Sequence, residues 1–96
     1  MRRDEVLAIL RANRRELAGL GVKSLALFGS TARDQAGPRS DIDLLVEIER
    51  PMGLFKFLDI KDYLERILGR HVDLVTREAL KPQLRDRILA EAMDAA

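Results

Sequence analysis

The segment from Asp41 to Ile48 constrains the fold more than any other stretch of the chain. Ile42, Leu44, Val46 and Ile48 alternate with Asp41, Asp43, Leu45 and Glu47, the period of a β-strand with one wholly apolar face. Asp41 and Asp43 then share the opposite face. Asp is depleted in strands because its short side chain competes for backbone hydrogen bonds, and side chains two residues apart on one face lie within ~7 Å. Like charges at that separation raise one pKa unless a cation sits between them. A divalent ion resolves the conflict. Mg²⁺ takes carboxylate oxygens and keeps positions open for phosphate. With no Cys and one histidine, His71, thiolate sites, disulfide scaffolds and multi-histidine sites are excluded.

The flanking patterns place this strand in an alternating architecture. Val6, Leu10, Leu17 and Leu20, with Ile9 and Ala12, predict an amphipathic helix over Asp4 to Leu20 that Gly21 stops. Val22 to Phe28 reads as a short buried strand running into the small-residue turn Gly29-Ser30-Thr31-Ala32-Arg33. Residues 35–40 form a loop by their turn chemistry, and Pro51 and Gly53 close the second strand. Leu54, Phe57, Leu58, Lys61, Leu64, Ile67 and Leu68 give a second helix ending at Gly69, and Val72 to Val75 a third strand. A last helix opens near Thr76, has Pro82 in its first turn and carries Leu84, Ile88, Leu89 and Met93 on one side. The reading is an α/β (α+β) fold, a small mixed sheet packed against helices. At 96 residues the chain has room for one core, so residues 1–96 are expected to form a single domain.

Charge and composition narrow the function. Seventeen Lys and Arg against sixteen Asp and Glu leave a net charge of +1, too little for non-specific electrostatic binding of nucleic acid as the main activity. The aromatics Phe28, Phe55, Phe57 and Tyr63 are too few for a base-stacking platform. No export signal or membrane span is read, so the cytoplasm is the expected compartment.

Asp73 repeats the strand pattern, with Val72 and Leu74 facing one way and Asp73 the other. If the two strands are neighbours, three carboxylates converge, and with two metal ions they form the machinery of in-line phosphoryl or nucleotidyl transfer. Gly29-Ser30 after a strand supplies a phosphate cradle, since Gly permits close backbone approach and the Ser hydroxyl and N–H groups bind phosphate oxygens. Arg33 is placed to add a charge-assisted contact. Taken singly, each piece has a plain structural reading: a turn, a strand with a wet outer face, a surface Asp. The turn is not a P-loop, because no Gly-Lys-Ser/Thr ending follows. A Ser30–His71–Asp triad lacks the nucleophile-elbow sequence, so His71 is read as a solvated or packing residue. Tyr63 is read as half-buried packing, and Arg14, Arg15, Arg85 and Arg87 as solvated helix faces.

In order and spacing, Gly29-Ser30-Thr31-Ala32-Arg33, then Ser40-Asp41-Ile42-Asp43-Leu44-Leu45-Val46, then Val72-Asp73-Leu74-Val75 resemble the minimal nucleotidyltransferases of the DNA polymerase beta superfamily. The resemblance covers nearly the whole chain. It implies that Gly29 and Ser30 hold the triphosphate, that Arg33 contacts the nucleotide or a phosphate, and that Asp41 and Asp43 bind two Mg²⁺ ions. Asp73 would complete the catalytic metal site and help deprotonate an acceptor hydroxyl, which attacks the α-phosphorus of ATP or another nucleoside triphosphate. Larger relatives carry a further helical domain for the acceptor, so the resemblance points to a partner chain. It implies an antitoxin that adenylylates a tyrosine of a HEPN toxin, in a hetero-oligomer, with a homodimer as the form when alone. Two alternatives stand beside it: a non-catalytic antitoxin that neutralises the HEPN protein by binding, and a nucleotidyltransferase for a small molecule such as an aminoglycoside.

Overall fold

The computed structural model describes residues 1–33, 35, 37, 41–49 and 53–95. The loop expected over 35–40 lies largely outside them, as do Ser40 of the quoted motif and Pro51. Helices α1 (Arg3–Ala12) and α2 (Arg14–Gly19) lead into strand β1 (Val22–Phe28), a single helical turn α3 (Gly29–Ala32) and strand β2 (Ile42–Ile48). Helix α4 (Leu54–Leu68), strand β3 (Val72–Thr76), helix α5 (Pro82–Glu91) and the short strand β4 (Met93–Asp94) complete the order. The sheet runs β3-β2-β1-β4. β2 pairs parallel with β3 and antiparallel with β1, and β4 lies antiparallel on the far edge of β1. The mixed α/β architecture expected from the alternation is the one observed.

The two faces of β2 explain the packing. Ile42, Leu44 and Val46 are buried, together with Leu25 and Leu27 of β1 and Val72 and Leu74 of β3. Val6, Leu7 and Leu10 of α1 and Ile60, Leu64 and Leu68 of α4 close over that face to form the core. Leu44 has no exposed surface, so Leu44→Ala is expected to cost about 2–5 kcal/mol, read as a fall in the urea midpoint of unfolding.

Four features differ from the sequence reading. The helix expected over Asp4 to Leu20 breaks at Asn13 (φ −106°, ψ 18°). The Asn13 amide donates to the Ile9 carbonyl at 2.8 Å and its Oδ1 accepts from the Tyr63 hydroxyl at 3.0 Å, a local competition that ends helices. On α4 the packed stripe runs through Ile60, Leu64 and Leu68, while Leu54 and Leu58 are exposed. At 3.6 residues per turn Leu58 sits roughly 160° around the helix from Ile60. The last helix starts at Pro82 after a 3₁₀ turn (Arg77–Ala79), because β3 extends to Thr76. Met93 is not helical but pairs with Leu27 in β4.

Candidate active site

The register brings the acidic residues of two strands together. Asp43 pairs with Phe28 across β1 and with Asp73 across β3, so the two carboxylates are neighbours on the face opposite the core. Asp43 is half-buried and Asp73 exposed. Burial pushes the Asp43 carboxyl above its ordinary pKa, the charges of Asp73 and Asp41 push it further, a side-chain hydrogen bond with Asp73 adds to this, and Arg33 opposes it. Two like charges this close are relieved by a cation placed between them.

The turn after β1 exists to make room for Asp43. Gly29 has φ +75°, and a Cβ there would stand 3.0 Å from Asp43 Cγ and 3.2 Å from Asp43 Cβ. A side chain at position 29 therefore meets both a left-handed backbone and a carboxylate. The first N–H groups of α3 have no intrahelical acceptor. The Gly29 carbonyl accepts from Arg33 N–H at 3.2 Å and the Ser30 carbonyl from Gln35 N–H at 2.8 Å, which turns the segment back beside the carboxylates.

Asp41 immediately precedes β2, beside His71. Ile42 pairs with Val72, and the Ile42 N–H donates to the His71 carbonyl at 3.0 Å, so Asp41 and His71 are register neighbours. Asp41 Oδ2 lies 3.3 Å from His71 Nδ1. Among the described residues no group of three or more acidic or histidine side chains is arranged to hold a metal ion; the register makes Asp43 and Asp73 neighbours, and the charge of Asp41 also acts on Asp43. Arg33 reaches across to the last helix. Its guanidinium contacts Glu91 of α5 at 2.9 Å and Gln35 at 3.2 Å, tying α3 to the last helix.

Below the carboxylates, on the same sheet face, lies a cleft of about 340 Å³ whose lining includes Ala26, Leu45, Arg77, Leu89 and Ala92. Leu45 faces the acidic side yet is buried, because α5 covers the sheet there. Glu91 and Glu65 were not singled out by the sequence reading. Glu65 Oε2 accepts from the Val72 N–H at 2.9 Å and lies 3.7 Å from His71 Nε2. Their signal was weak, since Glu91 is 58 residues from Arg33.

A carboxylate pair facing a glycine turn that opens a helical turn is the kind of site that metal-assisted transfer of phosphoryl or nucleotidyl groups uses. Residues 7–94 match the nucleotidyltransferase domain family, and the chain belongs to that family. The protein adenylyltransferase MntA of Thermococcus cleftensis is 38% identical over 91 residues, covering 94% of this chain and 92% of that protein. The solved structure of a candidate minimal nucleotidyltransferase superposes with a TM-score of 0.85 at 36% identity, covering 97% of this chain and 95% of that one. A Shewanella oneidensis structure, described as a tri-AMPylated HEPN toxin in complex with its MNT antitoxin, shares the fold at a TM-score of 0.59 and 18% identity, covering 91% of this chain and 71% of that one. No helix among the described residues is long and apolar enough to cross a membrane.

Proposed function

We propose that this chain is a Mg²⁺-dependent protein adenylyltransferase that moves AMP from ATP to a tyrosine hydroxyl of a HEPN toxin, and so acts in the cytoplasm as the antitoxin of the pair. The observation that carries the reading is the Asp43–Asp73 pair, an acidic couple with its Asp43 member half-buried, whose repulsion a divalent ion would relieve. The identity to MntA and the AMPylated partner of the Shewanella protein support the acceptor class.

The donor set fits Mg²⁺, being oxygen only with no thiol in the chain. Asp43 and Asp73 would hold the ions, with Asp41 contributing from the strand mouth. When bound, magnesium supplies charge neutralisation at the α-phosphate and the leaving pyrophosphate. The Gly29 and Ser30 N–H groups and the Ser30 hydroxyl orient the triphosphate in line with the acceptor. Arg33 exchanges Glu91 for a phosphate oxygen. The Asp73 carboxylate takes the proton from the tyrosine hydroxyl, whose oxygen forms a bond to the α-phosphorus as the bond to the β-phosphate oxygen breaks.

ATP labelled at either phosphate separates this from other transfers. With purified chain, Mg²⁺ and the HEPN protein encoded beside it, label from the α-phosphate is expected to stay on the partner and label from the γ-phosphate to leave as pyrophosphate. Retention of γ-label would make the protein a kinase and end the proposal. A variant carrying both Asp41→Asn and Asp43→Asn is expected to lose neutralisation of the toxin; neutralisation without transfer would support the binding reading instead.

A further inference from the structure

Resting on the metal-dependent reading above, we propose that His71 is a positioning residue, whose imidazole orients the Asp41 carboxylate for ion binding at the mouth of β2. Two facts make the pair more than a chance surface contact. The parallel register forces Asp41 and His71 side by side, because Asp43 pairs with Asp73 and Ile42 with Val72. The backbone at His71 is also fixed, its carbonyl accepting from Ile42 N–H, and the ring faces a second carboxylate, Nε2 lying 3.7 Å from Glu65 Oε2, the oxygen that accepts from Val72 N–H. His71 therefore stands between a carboxylate of the site and one of α4, fixed to both strands.

The contact contributes little to stability. The side chains of His71 and Asp41 are 61% and 55% exposed, and exposed pairs contribute about 0–1 kcal/mol. Its effect is geometric. A carboxylate only accepts hydrogen bonds, and Nδ1, 3.3 Å from Oδ2, is the ring atom placed to donate to it. Oδ1 is then the oxygen left for an ion. Without the imidazole, Asp41 is one rotamer among several at a strand end, and each ion bound must order it. Groups that orient a ligating side chain in this way are worth about 10–100-fold in metal affinity.

The test uses the full chain, with Mn²⁺ as the probe and its binding followed by electron paramagnetic resonance in the presence of an ATP analogue that cannot be cleaved between the α- and β-phosphates. His71→Ala is expected to weaken Mn²⁺ binding about tenfold, to leave the urea midpoint where it was, and to add no further loss in an Asp41→Asn background. His71→Asn, which keeps a donor near Nδ1, is expected to restore the affinity. Unchanged affinity in His71→Ala, a failed rescue, or a loss of affinity that tracks a fall in the urea midpoint would each overturn the positioning role. Absence of Mn²⁺ binding by the wild type would instead overturn the metal-dependent reading itself, and the proposal with it.

Discussion

Asp43→Asn is expected to lower the transfer rate by about 10³-fold and, in the same protein, to raise the Tm measured in EDTA. The first effect follows from the proposed role, because a metal site that loses a half-buried ligand forfeits several kcal/mol of charge stabilisation in the transition state, and each 1.36 kcal/mol is about tenfold in rate. The second follows from the sign of the pKa shift. Asp43 is raised in the folded state by burial first and by Asp73 and Asp41 next. Its ionised form thus costs stability at pH values above the folded pKa, and the cost fades as pH falls through that value towards 3.8, the value from which it is raised. The metal-free wild type should gain stability over that acidic window. Asparagine removes the charge and flattens the profile.

Magnesium should reverse the ranking. At about 100 times its Kd an ion stabilises the folded wild type by about 2.7 kcal/mol, on the order of 10 °C in Tm for a domain of this size. The variant should show almost none of this. Scanning calorimetry with and without Mg²⁺ at pH 7 separates a site built for a cation from an ordinary acidic surface, in which Asp43→Asn would change neither Tm nor its response to metal.

Gly29→Ala is expected to damage the site from the other side. A non-glycine residue at φ +75° costs about 1–3 kcal/mol, and the added methyl meets the Asp43 carboxylate, so either the turn or the carboxylate must move. A displacement near 1 Å costs about 10²-fold in rate. Both losses should appear together, the first in the urea midpoint and the second in the transfer assay. Ser30→Ala provides the contrast, since it removes a hydroxyl without touching the backbone and should leave the urea midpoint unchanged. Full activity in Gly29→Ala would mean that the close approach of turn and carboxylate has no part in the chemistry.

The sequence exposed those parts of the fold that depend on local period. The alternation through Ile42, Leu44 and Val46 is a property of seven adjacent residues, and it located both the strand and the acidic face. Gly29 after a buried strand marked the turn for the same reason. What was hidden depended on distant partners. Nothing near Met93 and Asp94 announces a strand, because β4 is two residues long and exists only by pairing with Ala26 and Leu27. Arg33 could be assigned to phosphate from its position but not to Glu91, which reaches it only after α5 folds across the sheet. Leu45 carried an overlooked signal, since an apolar residue among Asp41, Asp43 and Glu47 has to be covered by something. His71 carried another. Each strand has a polar residue two positions before its carboxylate, so placing Asp43 beside Asp73 in a parallel pair also places Asp41 beside His71.

Intact mass spectrometry of the HEPN protein, after incubation with this chain, ATP and Mg²⁺, tests the central claim most directly. The account predicts discrete additions of one adenylyl mass on tyrosine, abolished by EDTA and by Asp43→Asn. A partner that gains no mass while its toxicity is still suppressed would contradict it.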